Sequence, residues 1–344
     1  MKGLSLALCD ADEVYCQRLY EYLKNNLNLS FNIFSFTGIE DLKNFARKEA
    51  VSLLIISESL HYELVDRCAE GGFKNVLVLD EETSWGGMLC EPAMDTGINI
   101  RHVSKYQSAA GVVNELIEFC TDSPDSFTGL RTQAKLANSR ILGFYSPLSK
   151  CGQTTMAINT AEKLAEHGKV IFLSFESFSS LPDMLGIVSE QNITDLAYYA
   201  ECEKNKFGLY LEKIKRTVNG VDYIMPAKTA AQIKDIGSEK IKELLGLLSG
   251  DAGYDYVVMD LTEYPDGFFD ILAMCNKIFT VTGNNVPDSA RISQYETILR
   301  ENGLSEIESR TVKIQVPDYR DRHSCEKYIE ELLEREGLTD GNKT

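Results

Sequence analysis

No run in this 344-residue sequence approaches the ~18 consecutive apolar residues of a membrane-spanning helix, so no transmembrane segment is expected. The opening MKGLSLALCDADE turns acidic too early for a signal peptide, and the expectation is a cytoplasmic chain. Basic residues are scarce. The 35 Lys and Arg face 52 Asp and Glu, and a formal charge of -17 disfavours binding to nucleic-acid backbones. Only four histidines occur (His61, His102, His167, His323), at no metal-ligand spacing. The nine cysteines are odd in number and include no C-x-x-C pair, which argues against a disulfide framework or a zinc site. Several lie within apolar runs and read as reduced, small hydrophobes. Neither an internal repeat nor a low-complexity tract is present.

What is there suffices for about two domains: the length allows them, and 44% hydrophobic residues can fill two cores. Residues 1–120 alternate strand and helix. Strands are expected at 4–9, 31–36, 51–56, 76–79 and 98–103, with helices at 15–25, 39–48 and 108–119. Five short strands alternating with helices predict a flavodoxin-like parallel sheet. Asp10 and Asp12 follow the first strand and Lys105 follows the fifth, a pattern that resembles the receiver domains of two-component systems. The resemblance puts the phosphate-accepting aspartate after Ile56, where Ser57 stands with Glu58 beside it; Asp80 ends the fourth strand, where receivers carry Ser or Thr. A carboxylate displaced by one residue at a strand end faces the other way. The reading is therefore an atypical, pseudo-receiver domain used for docking or dimerisation. For Asp10 and Asp12, a solvated loop capping the following helix and a vestigial metal site stand as equal alternatives. Residues 121–138 are polar and carry Pro124 and Gly129, as an interdomain linker does.

Residues 139–344 contain the strongest signal. An apolar strand at 141–144 runs into the loop LSKCGQTT (148–155), and then into a helix with Met156, Ile158, Ala161, Leu164 and Ala165 at helical spacing. Phosphate-binding loops follow G-x-x-x-x-G-K-[ST], using backbone N–H groups and a helix N-terminus to hold phosphates. Gly152 and Thr154 match the second glycine and the magnesium-binding hydroxyl. Pro147 replaces the first glycine, and Gln153 replaces the lysine. Two more apolar strands end in carboxylates: 169–176 at Glu176 and 254–261 at Asp260, the latter with the form of a Walker B strand whose aspartate holds magnesium through water. Another buried strand follows at 277–283.

By these motifs and their order, residues 139–320 resemble the MinD/ParA family of deviant Walker A ATPases, most closely its TadZ/CpaE branch of pilus-assembly proteins. Leu148 falls on the family's signature lysine, which reaches a dimer partner's nucleotide. Ser174 and Glu176 fall on the two aspartates of its second acidic motif. Leu181 to Gly186 (LPDMLG) is similar to the segment that follows that motif in CpaE-type proteins. The resemblance implies a P-loop NTPase (MinD-like) fold, ATP and Mg²⁺ as cofactors, and a homodimer. Ser149, Lys150, Cys151, Gly152, Gln153, Thr154 and Thr155 would hold the phosphates, and Thr154 and Asp260 the metal. Glu176 would position water, and either Pro287 or the stretch from Gln315 to Pro317 would frame the adenine.

Without the loop lysines, nucleotide binding is expected to survive better than hydrolysis, because losing one such electrostatic stabiliser commonly costs ~10²–10³ in rate. Hydrolysis is expected to be very slow. Lys150, two places from the signature lysine, is the nearby cation that could compensate. The C-terminal stretch 324–337 is amphipathic but rich in glutamate, so it is expected to pack on the ATPase core or on a partner and not on anionic lipid. The function implied is an ATP-binding localisation or assembly factor for a Tad-type pilus machine. Its partners would be pilus or secretion machinery, with recruitment to a cell pole left open. The alternatives are an active MinD-type switching ATPase that positions a cargo complex, and a scaffold whose nucleotide site is vestigial.

Overall fold

The computed structural model describes residues 4–27, 29–67, 73–81, 98–127, 139–317 and 322–339. The chain divides into two units, residues 1–133 with 208–213 and residues 134–207 with 214–344. The first contains β1 (Leu4–Cys9), α1 (Glu13–Asn26), β2 (Phe31–Phe36), α2 (Ile39–Ala46), β3 (Leu53–Ser57), α3 (Glu58–Arg67), β4 (Asn75–Asp80), β5 (Asn99–Ser104) and α4 (Ala109–Asp122). The strands pair in parallel in the order β2-β1-β3-β4-β5. That is the flavodoxin-like doubly wound order.

The sequence produces this sheet through two-sided burial. Side chains alternate between faces along a strand. Leu6, Leu8, Leu53, Ile55, Leu77 and Leu79 meet α1 and α4 through Leu19, Leu23, Val112 and Leu116. The intervening Ala7, Cys9, Leu54, Ile56, Val76 and Val78 meet α2 and α3 through Ile39, Leu42, Leu60 and Leu64. Strands covered on both faces read as continuous apolar runs, which is why they were visible in the sequence.

The expected linker needs correction at its start. Residues 121 and 122 complete α4, and Pro124–Phe127 form a 3₁₀ turn. Phe127 is 2% exposed and packs edge-on against Phe31 and Phe119, each at a centroid distance of 6.3 Å. One aromatic with an apolar pocket within reach outweighs a polar neighbourhood. Residues 128–138 of the expected linker lie outside the described residues. Phe127→Ala is expected to lower stability by about 3 kcal/mol, read as a fall in the urea midpoint; an unchanged midpoint would return this segment to the linker.

In chain order there follow β6 (Arg140–Phe144), α5 (Gln153–Leu164), β7 (Val170–Ser174), α6 (Leu181–Leu185), α7 (Ile193–Cys202), α8 (Phe207–Ile214), β8 (Arg216–Val218), β9 (Val221–Ile224), α9 (Ala230–Lys234) and α10 (Ser238–Ser249). The chain continues with β10 (Tyr256–Asp260), α11 (Phe268–Met274), β11 (Lys277–Val281), α12 (Val286–Glu301), α13 (Ser305–Arg310), β12 (Thr311–Ile314) and α14 (Arg322–Arg335). The second sheet runs β12-β11-β6-β10-β7-β9-β8. Its pairs are parallel except β8–β9, a hairpin turning on Asn219 and Gly220. Both turn residues have positive φ (50° and 80°), as a type I′ turn requires. α14 buries Cys325, Ile329, Leu332 and Leu333 in the core that also holds Met156 and Leu164 of α5. Its outer Glu330 pairs with Lys163 at 3.3 Å. The glutamate-rich helix thus packs on the core of this unit, one of the two placements expected. No helix among the described residues is long and apolar enough to cross a membrane.

Candidate functional site

The phosphate-type loop leaves the C-terminal end of β6 and enters α5. β6 lies between β11 and β10, so residues at the ends of all three strands come within reach of the loop. Gly152 caps α5 with φ +84°, a left-handed backbone that glycine adopts without penalty. Lys150 is also left-handed, at φ 55°. The Ser146 hydroxyl donates to the Val281 carbonyl at 2.7 Å and accepts the Leu148 N–H at 3.2 Å, which ties the start of the loop to β11.

Gln153 spans the loop. Its Oε1 accepts the Ser146 N–H at 2.6 Å, and its Nε2 donates to Asp260 Oδ1 at 2.7 Å and to the Leu261 carbonyl at 3.0 Å. The Thr154 hydroxyl donates to Asp260 Oδ2 at 2.8 Å. Asp260 ends β10 and is 1% exposed. Burial pushes its carboxyl up to about 6 from 3.8, against the two hydrogen bonds, with the nearby charge of Glu176 adding to the rise.

The loop surrounds a cavity of about 400 Å³. Ser149, Lys150, Cys151, Gly152, Gln153, Thr154, Thr155 and Glu176 all line it. Asp260 stands behind Gln153 and Thr154. Glu176 accepts a hydrogen bond from Ser179 Oγ at 3.2 Å, and the buried Ser174 hydroxyl accepts the Glu176 N–H at 3.3 Å. Lys150 is exposed and has no ion pair among the described residues. Leu148 is only 9% exposed, turned into the protein where the resemblance places an outward-reaching lysine. The Cys151 thiol points back to the Leu148 carbonyl at 3.5 Å. Gln315 and Pro317 are not brought into this cavity. Gln315 is exposed at the end of β12 and donates to Asn284 Oδ1 at 3.0 Å.

The donor set fits a hard divalent cation. A threonine hydroxyl and an aspartate carboxylate sit together beneath backbone N–H groups, and Mg²⁺ takes oxygen ligands while keeping several waters. Among the described residues no cluster of three or more His, Cys, Asp or Glu is placed to hold a metal, so further ligands would be water and substrate oxygens. Thr154 and Asp260 would hold the ion, and it would supply charge neutralisation at phosphate oxygens.

Sequence reading missed one element of this wall. Tyr145, the residue after β6, is 4% exposed and donates to Glu263 Oε1 at 2.6 Å. Burial, then Glu263, pushes its phenol up. No local spacing signals this pair, since the partners are 118 positions apart.

In the first unit the acidic cluster is engaged internally. Lys105 Nζ donates to Asp10 Oδ1 at 3.0 Å, lies 2.8 Å from Asp10 Oδ2 and lies 2.8 Å from Glu81 Oε1. Against the cost of burial, these two carboxylates hold the Lys105 ammonium above its usual pKa. Asp12 caps α1, accepting the N–H groups of Val14 and Tyr15. Its capping reading holds, whereas Asp10 is fully buried and not solvated. Ser57 is buried at the end of β3, and Glu58 opens α3 and accepts the Glu81 N–H at 3.0 Å.

A strand, a tight loop and a helix N-terminus, with a buried aspartate on the adjacent parallel strand, give the second unit the fold of P-loop NTPases. No family model matches the chain, and no curated protein matches it. Among solved structures it is similar to a ParA family ATPase from Chlorobium tepidum TLS, at 20% identity over 56% of this chain and 80% of that one, with a TM-score of 0.44. It is also similar to the septum site-determining protein MinD complexed with Mg-ADP from Pyrococcus horikoshii OT3 (20% identity, 56% and 77% covered, TM-score 0.39). A third is an ATP complex of McdA from Cyanothece (13% identity, 60% and 100% covered, TM-score 0.43).

Proposed function

We propose that this chain is a nucleotide-binding localisation or assembly factor of the MinD/ParA type, nearest to the TadZ/CpaE branch and serving a Tad-type pilus machine. The observation that carries the reading is the pairing of Thr154 with Asp260 at 2.8 Å beneath a glycine-turned loop that has no lysine at position 148 or 153. Backbone donors and the two oxygen ligands support ATP–Mg²⁺ binding, while the absent cation supports slow or negligible turnover. The family resemblance supports a nucleotide-governed homodimer. With Leu148 buried, that dimer would form without the signature cation reaching across. The first unit would act as a pseudo-receiver. Its lysine is already bound by Asp10 and Glu81, and a buried serine stands at the acceptor position, so it contributes a docking surface and not a phosphorylation switch.

One observation favours a second reading. Gln153 satisfies the loop's own N–H and the buried carboxylate, as it would in a scaffold with a vestigial site. Sedimentation of the full chain with and without ATP–Mg²⁺ tests the proposal. A shift from monomer to dimer on adding nucleotide is expected. A mass that is the same in both conditions would refute nucleotide-governed dimerisation and favour the scaffold.

A further inference from the structure

A second cavity, of about 510 Å³, lies behind the phosphate loop. This is within the range of small-molecule sites. Its floor is aromatic. Tyr145 contacts Phe268 and Tyr295 at centroid distances of 4.6 and 5.3 Å, and Phe268 contacts Phe269 at 5.4 Å. One face of α12 supplies the other wall: Arg291, Gln294, Tyr295 and Ile298 recur at the spacing that stacks side chains along one side of a helix. Two charged residues line the cavity, and they are not equivalent. Glu263 accepts the Tyr145 hydroxyl at 2.6 Å. Arg291 is exposed and has no carboxylate partner among the described residues, in a chain whose net charge is -17. An unmatched guanidinium beside aromatic surface suits a flat apolar group that carries an anion. The rings take the apolar body, and the guanidinium pairs with the acid.

The geometry points to a second small-molecule site here, for a flat aromatic carboxylate or sulfonate. Tyr145, Pro147 and Glu263 line both this cavity and the phosphate-loop cavity, so a ligand here would press on a shared wall. The site itself does not depend on nucleotide binding.

The test uses two fluorescent probes on the full chain without nucleotide: anilinonaphthalene sulfonate, an aromatic anion, and phenylnaphthylamine, its neutral counterpart. Arg291→Gln is expected to reduce the affinity for the sulfonate relative to the amine by about tenfold, the size of a charge-assisted contact. Ile298→Asp, which puts a carboxylate in the same wall, is expected to weaken both probes. Phe178→Ser removes an 86% exposed ring that is not part of this cavity and should change neither. Circular dichroism checks that each variant is folded. A ratio of the two affinities that stays within about twofold in Arg291→Gln would overturn the proposed site. So would an Ile298→Asp protein that binds both probes as before, or a Phe178→Ser protein that has lost the signal.

Discussion

Replacing Gln153 by lysine is expected to raise steady-state phosphate release by ~10²-fold or more, the inverse of what losing one such stabiliser costs. In the parent, neither position 148 nor position 153 carries a cation to face charge developing on a γ-phosphate; Lys150 is the cation that lines the cavity. The Gln153 amide is committed at both ends: Oε1 to the Ser146 N–H and Nε2 to Asp260 and the Leu261 carbonyl. A lysine cannot accept the Ser146 N–H, so that donor would be released to the cavity along with the new positive charge. The parent should turn over far below the ~1 s⁻¹ of an ordinary kinase. Parent turnover at or above that rate would refute the degraded-site reading and favour the active-switch alternative. An unchanged rate in the lysine variant would show that the missing charge is not the limiting defect. Lys150→Ala should weaken nucleotide binding more in the parent than in the Gln153→Lys protein, because only in the parent is Lys150 the cation nearest the loop.

The second large effect is on stability. The folded-state pKa of Asp260 stands at about 6 against 3.8 for the free group, because the carboxylate is buried. Between those values the folded chain holds a proton there that the unfolded chain does not. Stability from this group is therefore full below about 4, falls as pH rises through the window and is lost above about 6. The gap between the folded and free values corresponds to on the order of 3 kcal/mol. Asp260→Asn removes the charge, keeps an acceptor for Gln153 and presents its NH₂ to Thr154, whose hydroxyl can turn to accept. The metal-free variant should therefore be more stable than the parent near neutral pH, and the difference should shrink toward about pH 4. Urea unfolding of both proteins across that range reads it directly. A difference that stays flat with pH would show that the carboxylate is solvated and not sealed behind the loop.

Much of the framework was legible because its strands are buried on both faces. Leu53 to Ile56 and Tyr256 to Asp260 read as apolar runs, and a carboxylate ending such a run marks the C-terminal edge of a parallel sheet. The loop residues and Glu176 were legible for the same reason: each follows a strand that ends at that edge. What was not legible depends on distant residues. Gln153 reads locally as a missing lysine, and only the approach of β10, 107 positions away, makes it a bridge between Ser146 and Asp260. Asp10 and Lys105 are 95 positions apart, so their buried pairing could not be separated from a vestigial metal site by spacing. The hairpin at Asn219-Gly220 had a local turn signal, but its strands of three and four residues are too short to show a period. Phe127 was hidden by its polar neighbours, and its role appears only with the pocket made by Phe31 and Phe119.

Titration calorimetry of the full chain with ATP–Mg²⁺ tests the central claim most directly, that a loop without its two lysines above a Thr154–Asp260 pair still holds a nucleotide. The parent should bind, and Thr154→Ala should bind about tenfold more weakly, having lost one metal-side hydroxyl. No heat of binding in the folded parent at ~1 mM nucleotide would contradict the account and leave the site a structural relic.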